Sequence, residues 1–141
     1  MTAFETGQVL DAHTFTVTRE DLVRYAHASG DHNPIHQDEE VARSVGLPGV
    51  IAHGMYTMAL VARAVREWTD GGEVREIGCK FTNPVVVPAE GGAELRVLGT
   101  VKGVSHEDDG AHVVTLGLEV TSGGSKVLGM PRAVVRVAPG A

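Results

Sequence analysis

The stretch GMYTMALVARAVREWTDGG, residues 54–72, decides the fold of this chain. Its apolar residues recur at helical spacing and leave little of the circumference polar, so the stretch predicts a long, buried helix. We expect only Arg63, Arg66 and Glu67, toward its end, to mark an exposed side. Such a helix needs another layer of structure to cover its apolar surface.

Four extended segments follow this helix, over residues 73–92, 93–110, 111–124 and 125–137. Gly-Gly or Asp-Gly turn signals separate them, as an antiparallel meander requires. In the third segment one face carries apolar residues and the other is more polar, so the sheet has one buried face; the apolar residues are Val114, Leu116, Leu118 and Val120. The economical assembly is α+β: an antiparallel sheet wrapped around the long apolar helix, which is a hot-dog fold in one domain over residues 1–141.

The residues before the long helix predict one more strand and two helices. Residues 12–18 alternate loosely and indicate the strand. Thr18, with an aspartate three residues later, makes a capping-box start for a helix that Gly30 ends. Asp38 can cap a second, short helix, which stops at Gly46.

Asp31 and His36 lie in the loop between these two helices. Taken alone, Asp31 is typical of a turn residue and His36 is typical of a structural residue. Pro34 pushes Asn33 toward an extended conformation, however, so no helix carries the two side chains to different faces and they can converge. A carboxylate and an imidazole around one water form a general acid/base pair, which the Asn33 amide could orient.

Gly54 stands where the long helix begins. Its backbone N–H is therefore one of the unpaired donors of the first turn and adds to the positive end of the helix dipole. An N–H aimed at a thioester carbonyl would stabilise an enolate oxygen. We expect His53 to be a packing or hydrogen-bonding residue at the helix start, and Met55 and Met58 to line the core or a pocket.

Two other chemistries are weaker interpretations of the same residues. A metal site of His27, His32, His36 and Asp31 would suit zinc or iron. Spacing does not imply that the four converge, because His27 belongs to the helix, so we expect no metal. Cys79 lies in a strand pattern without an activating base and is not expected to be a nucleophile.

The stretch YAHASGDHNPIH (residues 25–36), Ala42 six residues later, and IAHGM (residues 51–55) together resemble a known signature. It is that of the MaoC-like family of (R)-specific enoyl-thioester hydratases and (3R)-hydroxyacyl-thioester dehydratases. KFTNPVVVP, residues 80–88, is also similar to the catalytic beta-type subunit of the dehydratases of mycolic-acid-type fatty-acid elongation.

This resemblance implies an enzyme of fatty-acid or related acyl metabolism that interconverts trans-2-enoyl and (R)-3-hydroxyacyl thioesters. It implies an acyl-CoA or acyl carrier protein thioester and water as substrates, with no metal or redox cofactor. Asp31 and His36 would hold the water, and the Gly54 N–H would hold the thioester oxygen. The substrate-binding or orienting residues would be Ser29, Asn33, His53, Met55 and Met58.

Two other functions fit the same fold, because fold alone does not determine the reaction. The chain could be an accessory, non-catalytic hot-dog subunit, or it could be an acyl-thioester hydrolase. An accessory subunit is expected to lose the set Asp31, His36 and Gly54. A hydrolase more often carries its carboxylate on or near the central helix, where this sequence has Met, Tyr and Thr.

Composition excludes several classes of function. With a net charge of −6, the chain of 141 residues has no global electrostatic reason to bind nucleic acid. The same charge weakly favours a CoA thioester over an acidic carrier protein, and a local patch around Arg75, Lys80 or Arg132 could reverse this preference. Its one cysteine excludes an internal disulfide and fits a reducing cytoplasm. No apolar run approaches the roughly 20 residues of a spanning helix, and no export segment is evident, so we expect neither membrane nor export.

A single hot-dog unit leaves one sheet edge unpaired and one side of an acyl tunnel open. We therefore expect a two-fold dimer with a continuous sheet and with sites at the interface. A homodimer is the first expectation, and a heterodimer with a related hot-dog subunit is the alternative.

Overall fold

A computed structural model describes residues 3–139. The first half of this range contains one strand and three helices, namely β1 (His13–Val17), α1 (Arg19–Ser29), α2 (Glu39–Ser44) and α3 (Gly54–Trp68). A short 3-10 turn, Pro34–His36, lies between α1 and α2. The second half contains only strands, namely β2 (Glu73–Phe81), β3 (Ala93–His106), β4 (His112–Ser122), β5 (Ser125–Lys126) and β6 (Leu128–Val137).

The strands form one antiparallel sheet in the order β1-β3-β4-β6-β2, with β5 paired to the end of β4. The predicted meander is correct for β3, β4 and β6 but wrong for β2, which lies at the far edge beside β6. The segment after β2 explains the difference. Val85 and Val87 pair with the backbone of Val50 and Ala52 instead of turning tightly into β3, so the chain crosses to the other side of the sheet.

Helix α3 packs on the apolar face of the sheet. Val61, Ala64 and Val65 on the helix are fully buried. They join two adjoining clusters that include Val97, Val114, Leu116 and Val120 from the sheet. Three of the four residues predicted to form the buried face of β4 are completely covered, and Leu118 is half-buried. The hot-dog architecture is thus confirmed, with the core between α3 and the sheet.

One face of α3 is more exposed than its sequence predicts. Met55 retains 59% of its accessible surface and Ala59 is also exposed, beside the expected Arg63, Arg66 and Glu67. The sheet of a single chain covers only one side of the helix, so the apolar residues on the other side stay open. Within residues 3–139, no helix combines the length and apolarity needed to cross a bilayer.

The two predicted helix starts are both confirmed. The Thr18 hydroxyl accepts a hydrogen bond from the Asp21 N–H (3.1 Å), while the Asp21 carboxylate accepts one from the Thr18 N–H (2.9 Å). Gly30 ends α1 in the left-handed conformation with φ of 81°, and Asp38 caps α2. These caps fix the two ends of the loop that carries Asp31 and His36.

Candidate active site

The loop after α1 is shaped by side chains that bond to nearby backbone. The Ser29 hydroxyl accepts from the Asp31 N–H at 3.1 Å, and Asp31 Oδ1 accepts from the Asn33 N–H at 3.2 Å. Asn33 Oδ1 in turn accepts from the Ile35 N–H at 3.2 Å and caps the 3-10 turn. Asp, Asn and Ser favour such turns, and the fixed φ of Pro34 suits the first position of the turn.

This loop brings Asp31 and His36 together. The 3-10 turn carries His36 inward, where only 7% of it is accessible, while Asp31 stays exposed. One ligand atom from each of Asp31, His36 and His53 lies within 4.8 Å of the other two. Since hydrogen bonds to a water oxygen are about 2.8 Å long, one water can bridge a carboxylate and an imidazole at this separation.

The hydrogen bond of His36 defines which of its nitrogens can act. Nδ1 lies 2.7 Å from the carbonyl oxygen of Ile51. A carbonyl only accepts, so Nδ1 carries the hydrogen, and in the neutral ring Nε2 keeps its lone pair. The nitrogen available to a bound water is therefore Nε2, in a ring of fixed orientation.

His53 contacts both residues and is 2% accessible. Its Nε2 donates to the Asp31 carbonyl oxygen at 3.1 Å, and its ring stacks on that of His36 with centroids 3.8 Å apart. The Tyr25 ring meets it edge-on at 4.8 Å. Burial lowers the pKa of His53, the bond to the Asp31 carbonyl opposes that change, and the nearby His36 adds to it. The imidazole is therefore neutral at neutral pH.

Gly54 opens α3, a helix of 15 residues. Its N–H has no hydrogen-bond acceptor within the described part of the chain, and it points along the positive end of the helix dipole. A Cβ at this position would lie 2.8 Å from Cε1 of Phe81. Glycine thus allows the Phe81 ring to pack directly against the start of the helix.

A pocket of about 470 Å³ joins these groups, a size within the usual range for small-molecule sites. Asp31, His36, His53 and Gly54 are on its wall. The rest of the wall is mostly apolar and includes Leu47, Ile51, Met55, Phe81, Val85, Val127 and Leu128. The pocket thus places apolar side chains beside the carboxylate and the imidazole.

Three residues expected in the site do not reach the pocket wall. Ser29 and Asn33 act on the loop backbone, as described above. Met58 packs inward, with its Sδ 3.1 Å from Sγ of Cys79. Burial raises the pKa of the Cys79 thiol, which keeps it protonated at neutral pH and agrees with the expectation that it is no nucleophile.

Among the pocket residues that received no site role from the sequence are Thr57, Phe81, Thr82 and Asn83. Thr57 lies in the first turn of α3, three residues after Gly54. This helical spacing in the sequence is a signal that could have predicted its place near the site. Phe81 is the last residue of the edge strand β2 and pairs with Leu128 of β6, and Thr82 and Asn83 follow it, so the pairing of β2 with β6 helps to bring them to the pocket.

The four-residue metal site does not form. His27 and His32 contact each other, with ring centroids 5.5 Å apart, and neither belongs to the Asp31, His36 and His53 group. In that group the planes of the two stacked rings differ by only 24°. Lone pairs in near-parallel planes do not meet at the roughly 2 Å that a metal–nitrogen bond requires, so the rings are not arranged to share an ion.

Comparisons of the chain with family models, known proteins and solved structures all indicate the same family. The model of the MaoC like domain matches residues 2–122. The 3-hydroxyacyl-thioester dehydratase X of Mycobacterium tuberculosis is 37% identical over 105 residues, which cover 67% of this chain and 36% of that protein. A fatty acid synthase beta subunit of Cochliobolus carbonum is 35% identical over 106 residues, only 5% of its length. The chain therefore spans a small part of these relatives.

Two solved structures have the same architecture over most of the chain. A MaoC-like dehydratase superposes with a TM-score of 0.88 and 35% identity, over 96% of this chain and 41% of that one. An R-hydratase from Pseudomonas aeruginosa in the unliganded form gives 0.78 and 27%, over 96% of this chain and 83% of that one.

Proposed function

Because the chain belongs to the MaoC-like dehydratase family, we propose that it catalyses the reversible hydration of trans-2-enoyl thioesters to (R)-3-hydroxyacyl thioesters. One observation carries the proposal. Asp31, His36 and Gly54 all line a single, mostly apolar pocket, His36 keeps Nε2 free of its bond to Ile51, and the Gly54 N–H has no acceptor among residues 3–139. This is the set of groups that addition of water beside a thioester needs.

In the hydration direction, the pair removes a proton from water as the water oxygen bonds to C3 of the substrate. The π electrons of the C2=C3 bond move toward the thioester and place negative charge on its oxygen. The Gly54 N–H, at the positive end of α3, stabilises that oxygen. The pair then delivers a proton to C2, so no proton is gained or lost overall, and dehydration follows the same steps in reverse.

The hydrolase alternative has less support in this pocket. Asp31 is the single acidic residue on the pocket wall within the described residues. The first turns of α3 contribute Met55 and Thr57 to the wall, and no carboxylate. An accessory subunit would have no need of the intact set of Asp31, His36 and Gly54, all three of which reach the pocket.

The test is to give the purified protein crotonoyl-CoA and the same acyl group on an acyl carrier protein. Absorbance of the conjugated thioester and release of free thiol are followed in parallel. We expect absorbance to fall without thiol release. Thiol release at the same rate as the loss of absorbance would assign a hydrolase, and no reaction with either substrate would favour an accessory subunit.

We place the activity in the cytoplasm, with CoA thioesters as the first substrates to test. The single cysteine, Cys79, is a free thiol, as suits a reducing compartment. The net charge of −6 disfavours an acidic carrier protein over long range.

The working unit in this proposal is a two-fold homodimer. Strand β2 is nine residues long and has a neighbour on only one side, and the outer face of α3 exposes Met55 and Ala59. Unpaired edge strands and exposed apolar surface both favour association with a second copy.

Light scattering at micromolar concentration is expected to give twice the mass of the chain, at a concentration where hydration is active. A monomeric mass with full activity would refute the dimer. A monomer that becomes active only with a related hot-dog chain would replace the homodimer with a heterodimer.

A further inference from the structure

We infer that His53 is a positioning residue that holds Asp31 and His36 in register with Gly54, so that residues 51–54 form one template for the whole site. The inference rests on the proposed function, and it assigns His53 no contact with the reacting atoms. Its basis is the set of contacts that tie the exposed loop to the start of α3.

The loop over residues 30–33 is exposed and has little to hold it in place. Its other hydrogen bonds are made within the loop or to its immediate neighbours in sequence. In the described part of the chain, a single hydrogen bond ties this loop to a distant segment. It is the 3.1 Å bond from His53 Nε2 to the Asp31 carbonyl, between residues 22 positions apart.

His36 is fastened to the same short segment. Its Nδ1 donates to the Ile51 carbonyl at 2.7 Å, and its ring stacks on His53 at 3.8 Å. Both members of the acid/base pair are thus attached within three residues of Gly54, the proposed donor to the thioester oxygen. A shift of His53 would move the carboxylate relative to the imidazole and to that donor.

The template itself is rigidly supported. The Ala52 N–H donates to the Val85 carbonyl at 2.9 Å, and the Val87 N–H donates to the Val50 carbonyl at 2.8 Å. The His53 carbonyl accepts from the N–H groups of Tyr56 and Thr57 in the first turn of α3. The segment is therefore held by residues 85–87 and by the first turn of α3, independently of its contacts with the loop.

A packing role alone does not account for histidine at this position. Nδ1 of His53 is buried and has no hydrogen-bond partner among residues 3–139. A phenylalanine would fill a similar space and stack on His36 without leaving a buried polar atom unpaired. What histidine adds is the Nε2–H that reaches the Asp31 carbonyl, and burial lowers the pKa of the ring so that it stays neutral.

Two substitutions separate these contributions. His53→Gln keeps an N–H donor at about the position of Nε2, whereas His53→Phe keeps the ring and removes the donor. His32→Gln, on the same loop but exposed, is the matched control. We expect His53→Phe to lower kcat about tenfold to 100-fold, since a misplacement of about 1 Å can cost that much, with KM nearly unchanged. His53→Gln is expected to recover most of kcat, and His32→Gln to behave as wild type.

A folded His53→Phe protein with wild-type kcat would overturn the inference. The proposed function would stand in that case, because it is tested by hydration activity of the wild-type protein. Equal losses of kcat in His53→Phe and His53→Gln would also overturn it, because the donor would then not matter. Nitrogen NMR of the wild-type protein reports which ring nitrogen of each histidine carries a hydrogen. This measurement requires neither an activity assay nor a variant. We expect a neutral His53 with its hydrogen on Nε2, and a hydrogen on Nδ1 would contradict the inference.

Discussion

Asp31→Asn and His36→Ala are each expected to lower the rate of enoyl-thioester hydration by about 10²- to 10⁴-fold, the usual contribution of a general acid or base. Asparagine keeps the shape of aspartate but cannot take up a proton. Alanine removes the only ring nitrogen left free by the bond from His36 Nδ1 to Ile51. Because the two side chains act on one water in the proposed mechanism, the double variant is expected to lose far less than the product of the single losses.

The rates are measured by loss of absorbance with crotonoyl-CoA, and thermal unfolding confirms that each variant is folded. Asp108→Asn, in the exposed turn after β3, and His27→Ala, on the exposed side of α1, are matched controls that are expected to keep wild-type rates. Folded Asp31 and His36 variants with undiminished hydration would remove both residues from the mechanism.

Gly54→Pro is expected to reduce turnover to a small residual rate, because proline has no backbone N–H to offer the thioester oxygen. Loss of one such donor typically costs about 10²- to 10³-fold in kcat. The fold should tolerate the change. Proline is favoured at the first position of a helix, and the preceding residue, His53, has φ of −59° and ψ of 134°, an extended conformation compatible with a following proline.

Gly54→Ala is the matched control, because it introduces a Cβ in the same place but keeps the N–H. That Cβ would lie 2.8 Å from the Phe81 ring, which is 57% exposed and can turn aside. We expect a moderate loss of activity that a second change, Phe81→Ala, partly restores. If the proline enzyme folds and turns over as fast as the alanine enzyme, the Gly54 N–H does not stabilise the substrate oxygen.

Local signals in the sequence predicted the helices well. The capping box at Thr18, the glycine that ends α1 and the Asp38 cap depend on residues within a few positions of one another, and all three are present. The convergence of Asp31 and His36 was also predictable, since Pro34 and Asn33 restrict the short loop between them.

The other features depend on contacts between segments that are far apart in sequence, and local patterns do not predict such contacts. The position of β2 beside β6 follows from the pairing of residues 85–87 with residues 50–52, which no turn signal indicates. The contact of Phe81 with Gly54 likewise joins segments that are far apart in sequence. The exposure of Met55 depends on how much of α3 one sheet can cover, and the contacts of His53 join segments that are remote in sequence.

The central claim is that the pair adds water across the C2=C3 bond and leaves the thioester intact. The most direct test is to incubate the wild-type protein with crotonoyl-CoA in ¹⁸O-labelled water and to locate the label in the product by mass spectrometry, with chiral analysis of the same sample. We predict one ¹⁸O in the C3 hydroxyl of an (R)-3-hydroxybutyryl thioester. Label in the carboxylate of a released acid, together with free CoA, would contradict the account.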